Sequence, residues 1–303
     1  MGVVVHLWGL DGKPSIISPE SVALFWLLND IKTNSEITVV FSNNTDLSPN
    51  QELPILINGS KTICGFSSIV STLCPSNSAL ESALLQFAQD QIGALTQYQL
   101  YLNRNNYDGF TRKIFACLLE WPLWYNTPLK NRSLARQRCE TLGYFSHPDD
   151  QDHVDFNVDQ VDDLVQSKAY KLTKASKARK EELLKSARFN LQFMNRLSDQ
   201  LQSWLEARDK LEARDQVEPR DQLLAADYLV WANLFIQLEL PDGELVREHL
   251  NRTLGKERFQ EVVERCKKLS EAGSQLEQRE PSFTERGNAA MSVYYALRRM
   301  VAL

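Results

Sequence analysis

The side chains that could do thiol or metal chemistry are few and scattered in this sequence. The cysteines are odd in number and never spaced as Cys-x-x-Cys, which indicates a reducing compartment and no disulfide framework. We interpret each cysteine as a small buried apolar residue. The histidines form no His-Glu-x-x-His pattern and no cluster with cysteine, so no metal site and no cofactor is expected. The cysteines are Cys64, Cys74, Cys117, Cys139 and Cys266, and the histidines are His6, His147, His153 and His249.

Charge is balanced over the whole chain but segregated in its middle. The formal net charge is −5, from 34 basic and 39 acidic residues, so no global attraction to nucleic acid is expected. Between positions 149 and 163 there are seven aspartates and no lysine or arginine, whereas positions 168–188 hold eight lysines or arginines against two glutamates. This pattern fits either a solvated loop that leads into a basic helix or a docking segment for oppositely charged partners.

Aromatic residues could make contacts with a partner. Trp121, Trp124 and Tyr125 surround a proline between two helical segments. Such clusters commonly fill gaps between helices, but tryptophan and tyrosine also anchor interfaces and occur at membrane surfaces. An apolar face on the last helical segment could likewise pack on the fold or dock elsewhere. The candidates for partner contacts are Trp121, Trp124, Tyr125, Asp149, Asp150 and Tyr294.

The first seventy-five residues alternate β-branched runs with a helical signal. The helix is expected to begin after Ser18, because serine is a favoured N-cap and Pro19 suits the first helical position. A helix between two strands returns the chain to the same edge of a sheet, so the two strands should be parallel. The two runs cover residues 3–8 and 37–41.

A β-hairpin and a short helix complete this N-terminal pattern. Asn58-Gly59 lies between two apolar runs and favours a two-residue hairpin turn. The order strand, helix, strand, hairpin and helix is typical of a thioredoxin-like domain. The hairpin runs cover residues 53–57 and 61–64, and the helix covers 66–73.

Beyond residue 76 the strand signals largely vanish. The segment 183–214 has two adjacent apolar rows, which predicts a wide buried face and a central position. We predict an α+β protein with a thioredoxin-like domain at 1–75 and an all-α domain at 76–303, with a charged loop near 146–165. Helical patterns cover residues 78–104, 107–120, 127–142, 160–180, 183–214, 221–240, 243–252, 255–272 and 284–303.

Two parts of the sequence resemble the glutathione-transferase fold. Leu53-Pro54-Ile55 matches the place where that fold keeps a cis-proline before its third strand, and residues 222–228 resemble the start of the core helix of its helical domain. A tighter resemblance covers nearly the whole chain and is to the fungal metaxin-like subunit of the mitochondrial sorting and assembly machinery. It rests on VHLWG at 5–9, VFSNNTDLS at 40–48, WPLWYNTPL at 121–129, RFNLQF at 188–193, LPDG at 240–243 and LEQR at 276–279.

The resemblance implies a peripheral protein at the cytosolic face of the outer mitochondrial membrane. Its implied partners are a β-barrel insertase channel, a second metaxin-like subunit and the outer-membrane translocase. The sequence has no stretch of about twenty apolar residues, so membrane association is expected to be peripheral and through partners. The alternatives are a cytosolic glutathione transferase and a soluble glutathione-transferase-like adaptor.

The resemblance to glutathione transferases does not extend to their site. That family holds the γ-glutamyl end of glutathione with an acid or amide followed by serine, at the start of the helix after the hairpin. Gly65 and Phe66 stand at those places here, and neither offers a polar side chain. No tyrosine or cysteine precedes residue 30, and Ser18, the serine at a helix start, is explained by N-capping. We therefore expect no enzyme and a degenerate site at Gly65 and Phe66.

Overall fold

The computed structural model describes residues 2–31, 37–75, 78–144, 168–215 and 223–301. A mixed sheet with two helices is followed by a part that is almost entirely helical, which confirms the predicted fold class. The predicted charged loop near 146–165, together with the contact candidates Asp149 and Asp150, lies outside the described residues.

Short strands form a five-stranded sheet and a separate two-stranded hairpin. They are β1 (Val3–His6), β2 (Gly9–Leu10), β3 (Lys13–Pro14), β4 (Ile37–Val40), β5 (Ile55–Asn58), β6 (Lys61–Cys64) and β7 (Glu277–Gln278). The order in the larger sheet is β6-β5-β1-β4-β7, and β2 pairs with β3. β1 and β4 are parallel, with Val5 opposite Val39, as the strand-helix-strand order predicts. β5 and β6 form the predicted hairpin, with Leu56 opposite Ile63.

The helices follow the predicted order with shifted boundaries. They are α1 (Pro19–Asp30), α2 (Phe66–Leu73), α3 (Ala79–Phe87), α4 (Gly93–Gln97), α5 (Arg104–Asn106), α6 (Arg112–Leu118), α7 (Leu123–Thr141), α8 (Lys168–Asp215), α9 (Ala225–Glu239), α10 (Gly243–Leu254), α11 (Lys256–Glu271) and α12 (Ala289–Val301). Five-residue π-helical segments continue α3, α4 and α5 at Ala88–Ile92, Tyr98–Leu102 and Tyr107–Thr111. The separate segments predicted at 160–180 and 183–214 are wrong, because α8 is one continuous helix.

The core joins the sheet part to the helical part through α1 and α9. Each is buried around most of its circumference, and Trp26 of α1 meets Phe235 of α9 edge to face at 5.6 Å between ring centroids. Asp227 of α9 accepts a hydrogen bond from the Leu224 backbone N–H at 2.7 Å and pairs with Arg208 of α8 at 3.2 Å. The start of this core helix therefore has its first-turn donor satisfied and its buried carboxylate paired.

The expectation that every cysteine is buried is only partly right. Cys139 and Cys266 are buried, and burial raises the pKa of each thiol to about 12. Cys117 is exposed on α6, and Cys64 and Cys74 are partly buried, so that interpretation is wrong for Cys117. A single cysteine carries no periodicity of its own, which is why its side of a helix cannot be inferred from residue type.

The C-terminal segment returns to the N-terminal sheet, which the sequence pattern did not predict. β7 pairs in parallel with β4, and its two residues have no strand signal of their own. The Gly287 N–H then donates to Ser42 O at 3.2 Å, and a side chain at Gly287 would lie 2.7 Å from the Asn43 carbonyl oxygen. Residues 274–288, which we call the C-terminal strap, therefore run closely along the edge of the sheet before α12 begins.

Candidate functional site

The place where the fold could hold an anion is the N-terminus of α2, directly after the β5–β6 hairpin. Helix N-termini present free backbone N–H groups and a partial positive charge. The Leu53–Pro54 peptide bond, just before β5, is cis, and the Pro54 carbonyl oxygen accepts a hydrogen bond from the Gly65 N–H at 2.9 Å. The hairpin and the chain around Pro54 thus fix the position of the first turn of α2.

Glycine at position 65 serves the backbone conformation of the turn and provides no side chain that could bind a ligand. It has φ 81° and ψ 151°, a region that is essentially restricted to glycine. A side chain there would meet nothing within 4 Å, so the requirement is conformational and not a lack of space. An acid or amide at this position would need a different backbone path. The absence of a polar side chain at Gly65 is therefore built into the turn.

Phe66 contributes its side chain to the core. It is 0% exposed and begins α2 with its ring buried in the main hydrophobic cluster. Only its backbone N–H contributes a polar group to the N-terminus of α2. No hydroxyl or acceptor group replaces the serine that the resemblance implies here.

The carboxylate of Glu20 takes the position of an anion at this helix end. Glu20 lies in the first turn of α1, is partly buried, and accepts a hydrogen bond from the Phe66 backbone N–H. Burial raises the pKa of Glu20 to about 7; the Phe66 N–H opposes this shift, Glu52 adds to it and Arg138 opposes it. Burial therefore outweighs the attraction of the helix end. The group titrates near neutral pH.

Further polar groups connect this helix end to the helical part of the chain. Gln89 approaches Glu20 with its side-chain Nε2 at 3.5 Å and accepts a hydrogen bond from the Ser67 hydroxyl through its Oε1. Arg138 of α7 donates through Nη2 to the Gln89 carbonyl oxygen at 2.5 Å and to Asp90 Oδ1 at 3.2 Å. The polar groups around the start of α2 thus form hydrogen bonds with one another.

Ser18 is occupied by helix capping. Its Oγ accepts a hydrogen bond from the Ser21 N–H at 3.3 Å and donates to Ser21 Oγ at 2.9 Å, while Ser21 Oγ accepts from the Trp8 N–H at 3.2 Å. Ser18 is 9% exposed. The predicted N-cap role is confirmed. Within the described part of the chain the Ser18 hydroxyl is hydrogen-bonded to Ser21 and to no histidine or carboxylate, so nothing in this arrangement activates it as a nucleophile.

The aromatic candidates differ in their exposure. Trp121 is 75% exposed and Tyr125 is 51% exposed, whereas Trp124 is partly buried and packs against the core. Trp124 and Tyr125 meet edge to face at 6.1 Å. Tyr294 on α12 is 53% exposed. The structure therefore places Trp121, Tyr125 and Tyr294 at the surface, where they stay candidates for contacts.

The C-terminal strap adds an ion pair beside the buried end of β1. Arg279 and Glu285 form a bidentate pair at 2.7 and 2.6 Å, and the Arg279 guanidinium holds the pKa of Glu285 at about 2. His6 lies 3.9 Å from Glu285 and is buried, and burial lowers its pKa to about 4. At neutral pH the imidazole is therefore uncharged, and Arg279 is the cation that Glu285 pairs with.

Sequence reasoning missed Glu20 and the strap. Glu20 had only the local signal of an acidic residue in the first turn of a helix, and its contact with Phe66 spans 46 positions. Within the described ranges no three side chains of His, Cys, Asp or Glu are grouped so as to hold a metal ion. Among the helices of the described part of the chain, none is long and apolar enough to cross a membrane.

The fold and site define a protein with a thioredoxin-like sheet followed by a helical part. In it the carboxylate of Glu20, on α1, lies at the N-terminus of α2. Two family models match the chain. One, described as an outer mitochondrial membrane transport complex protein, matches residues 21–132, and the other, the Tom37 C-terminal domain, matches residues 147–300. The chain therefore belongs to the Tom37 family of outer mitochondrial membrane transport complex proteins. This confirms the mitochondrial family that the metaxin-like resemblance implied.

Comparison with other known proteins adds little to the family match. None of the curated proteins matches the chain. A solved structure of glutathione S-transferase III in its apo form shares 14% sequence identity, covers 87% of this chain and 96% of its own, and gives a TM-score of 0.32.

Proposed function

We propose that the chain is a non-enzymatic scaffold subunit of the machinery that sorts and inserts β-barrel proteins into the outer mitochondrial membrane. It acts at the cytosolic face, with a thioredoxin-like domain at 1–75 and a helical domain at 76–303. Its partners are the β-barrel insertase channel, a second metaxin-like subunit and the outer-membrane translocase. Family membership supports the membrane and the transport complex, and the metaxin-like resemblance supports the sorting role.

One observation of the site supports a role without catalysis. The N-terminus of α2 carries the carboxylate of Glu20, and the neighbouring side chains of Ser67 and Gln89 are hydrogen-bonded to each other. An incoming γ-glutamyl group would have to displace Glu20 and would then lack the acceptors that Gly65 and Phe66 do not provide. Its desolvation would be poorly compensated.

Affinity purification tests the proposed partners. The tagged chain, isolated from detergent-solubilised mitochondria, should carry the β-barrel insertase with it. The same tag on a soluble glutathione transferase serves as the control and should not. Recovery of soluble cytosolic proteins alone would contradict the proposal.

The alternative, a glutathione transferase, is tested separately by titration calorimetry. The purified chain should show no binding of glutathione up to about 10 mM, a concentration that detects affinities of about −3 kcal/mol. Binding that is lost in a Ser18→Ala variant would favour the enzyme. A soluble adaptor would instead fractionate with the cytosol and show no enrichment on mitochondria.

A further inference from the structure

The C-terminal strap contains the one serine of the sequence that follows an arginine by three positions. This serine is Ser282, after Arg279, and the one threonine in the same relation to an arginine is Thr141, after Arg138. Protein kinases choose their substrates partly by the charges around the hydroxyl, and an arginine three positions before it is a common determinant. The sequence therefore makes Ser282 and Thr141 candidate acceptors of a phosphoryl group.

The structure favours Ser282 over Thr141. Ser282 is exposed and begins a turn in which the Glu285 N–H donates to the Ser282 carbonyl oxygen at 3.0 Å. Close by, the side chain of Glu280 is 94% exposed and Phe283 is 71% exposed. A kinase holds its substrate as an extended segment, which a short surface turn can adopt with little loss of structure. Thr141 instead ends α7, and its hydroxyl donates to a carbonyl oxygen of the preceding helical turn at 2.9 Å.

The Arg279 guanidinium and Ser282 are held together by one carboxylate. Glu285 accepts two hydrogen bonds from Arg279, at 2.7 and 2.6 Å, and one from the Ser282 N–H at 2.9 Å. Arg279 is the main cause of the low pKa of Glu285, and the Ser282 hydroxyl adds to it through a hydrogen bond of its own. A phosphate on Ser282 would therefore lie within reach of the guanidinium and beside the carboxylate.

We propose that Ser282 is a phosphorylation site and that its phosphate replaces Glu285 as the partner of Arg279. The Ser282 oxygen attacks the γ-phosphorus of a kinase-bound nucleoside triphosphate, and the new O–P bond forms as the bond to the β-phosphate oxygen breaks. The nucleoside diphosphate leaves, and the hydroxyl proton passes to a carboxylate of the kinase. The phosphate carries about −1.5 to −2 charges at pH 7, so it attracts Arg279 and repels Glu285. The inference does not depend on the assembly role proposed above.

The phosphate should open the turn without detaching the whole strap. Glu285 closes the turn through Arg279 and lies 3.9 Å from His6, and both contacts depend on the position of its carboxylate. The backbone hydrogen bonds on either side run from the N–H groups of Arg279 and Gly287 to carbonyl oxygens in and just after β4. They involve no charged group and should persist. The change should therefore be confined to residues 280–286.

The first test asks whether an arginine-directed kinase accepts Ser282. The full chain is incubated with a calmodulin-dependent protein kinase and radiolabelled ATP, and mass spectrometry locates the phosphate. Wild type should be labelled on Ser282, Ser282→Ala should lose the label, and Arg279→Gln should be labelled at least about tenfold more slowly. Glu285→Gln releases the arginine and should be labelled at least as fast as wild type. Circular dichroism should show the wild-type helix content in all three variants.

The second test measures what the phosphate does to the strap. The chain is synthesised with a phosphate on Ser282, and chymotryptic cleavage after Phe283 is followed by mass spectrometry. Cleavage should be at least about fivefold faster than in the unmodified chain, because proteolysis follows the population of the open turn. The matched control carries its phosphate on Ser270, which is exposed near the end of α11, and should be cleaved at the unmodified rate.

Three outcomes would overturn the inference. Labelling that bypasses Ser282, or equal rates for wild type and Arg279→Gln, would show that the arginine does not direct a kinase to this turn. An unchanged cleavage rate, or an equal rise in the Ser270 control, would show that the phosphate does not take Arg279 from Glu285. Finally, the chain isolated from its own cells with phosphatase inhibitors should carry phosphate on Ser282, and its absence there would contradict a modification site.

Discussion

Replacing Glu20 by glutamine should stabilise the protein at high pH and leave it nearly unchanged at low pH. Burial raises the pKa of Glu20 from 4.5 to about 7. Between these values the folded chain keeps a proton that the unfolded chain has lost, so the free energy of unfolding falls as the pH rises through this window. Above this pH window the full loss of stability is present, and the Glu20→Gln variant does not suffer it.

The size of the effect follows from the pKa. Each pKa unit corresponds to about 1.36 kcal/mol, so the ionised carboxylate costs at most about 3.4 kcal/mol. Glu20 is only partly buried, and water screens part of this cost, so we expect about 1–2 kcal/mol at pH 8. The advantage of the variant should shrink toward zero as the pH falls to 4.5.

Urea denaturation of wild type and variant at several pH values measures this difference. Glu257→Gln is the matched control, because Glu257 is also in the first turn of a helix but is exposed. Its effect should stay within about 0.5 kcal/mol at every pH. A Glu20→Gln variant that is less stable than wild type at pH 8, by a margin that widens with pH, would refute the reasoning. The attraction between the carboxylate and the end of α2 would then exceed the cost of burial.

Three further substitutions test the turn and the C-terminal strap. Gly65→Ala should lower the free energy of unfolding by about 1–3 kcal/mol, because the backbone conformation of Gly65 is nearly restricted to glycine. The control, Gly273→Ala, should have little effect in the same denaturation assay, because an added Cβ at Gly273 would meet no atom within 4 Å. Gly287→Ala should loosen the strap, because the new Cβ would lie 2.7 Å from a carbonyl oxygen; faster proteolysis within residues 274–288 would show it, and unchanged cleavage would contradict it. Arg279→Gln should cost about 1 kcal/mol near neutral pH. The difference should shrink as the pH drops from 4.5 toward 2, because Glu285 is increasingly protonated as the pH approaches its folded pKa; a difference as large at pH 2 as near neutral pH would contradict the ion pair.

Local sequence signals predicted the elements that have local causes. The Asn58-Gly59 turn fixed the hairpin, and Ser18 before Pro19 fixed the start of α1. These signals lie within a few residues of the structure they specify. The joined helix α8 was missed because charged residues interrupt its apolar rows near position 180, although a continuous backbone helix does not need an unbroken stripe.

Contacts between distant parts of the chain had no such signal. β7 contains only Glu277 and Gln278, and it is a strand because the edge of β4 accepts it, not because of its residue types. Glu20 contacts the start of α2 only after the sheet has brought the two helices together. The replacement of ligand-binding residues by Gly65 and Phe66 could be inferred from the resemblance, but the carboxylate that stands at the helix end could not.

Assembly of a β-barrel precursor in isolated mitochondria tests the central claim most directly. Mitochondria depleted of the chain should import a radiolabelled β-barrel precursor but fail to convert it to its assembled form, as resolved by native electrophoresis. Wild type should restore assembly, and so should Ser18→Ala, because no catalytic hydroxyl is involved. Normal assembly in the depleted mitochondria, or rescue by wild type and not by Ser18→Ala, would contradict a scaffold role.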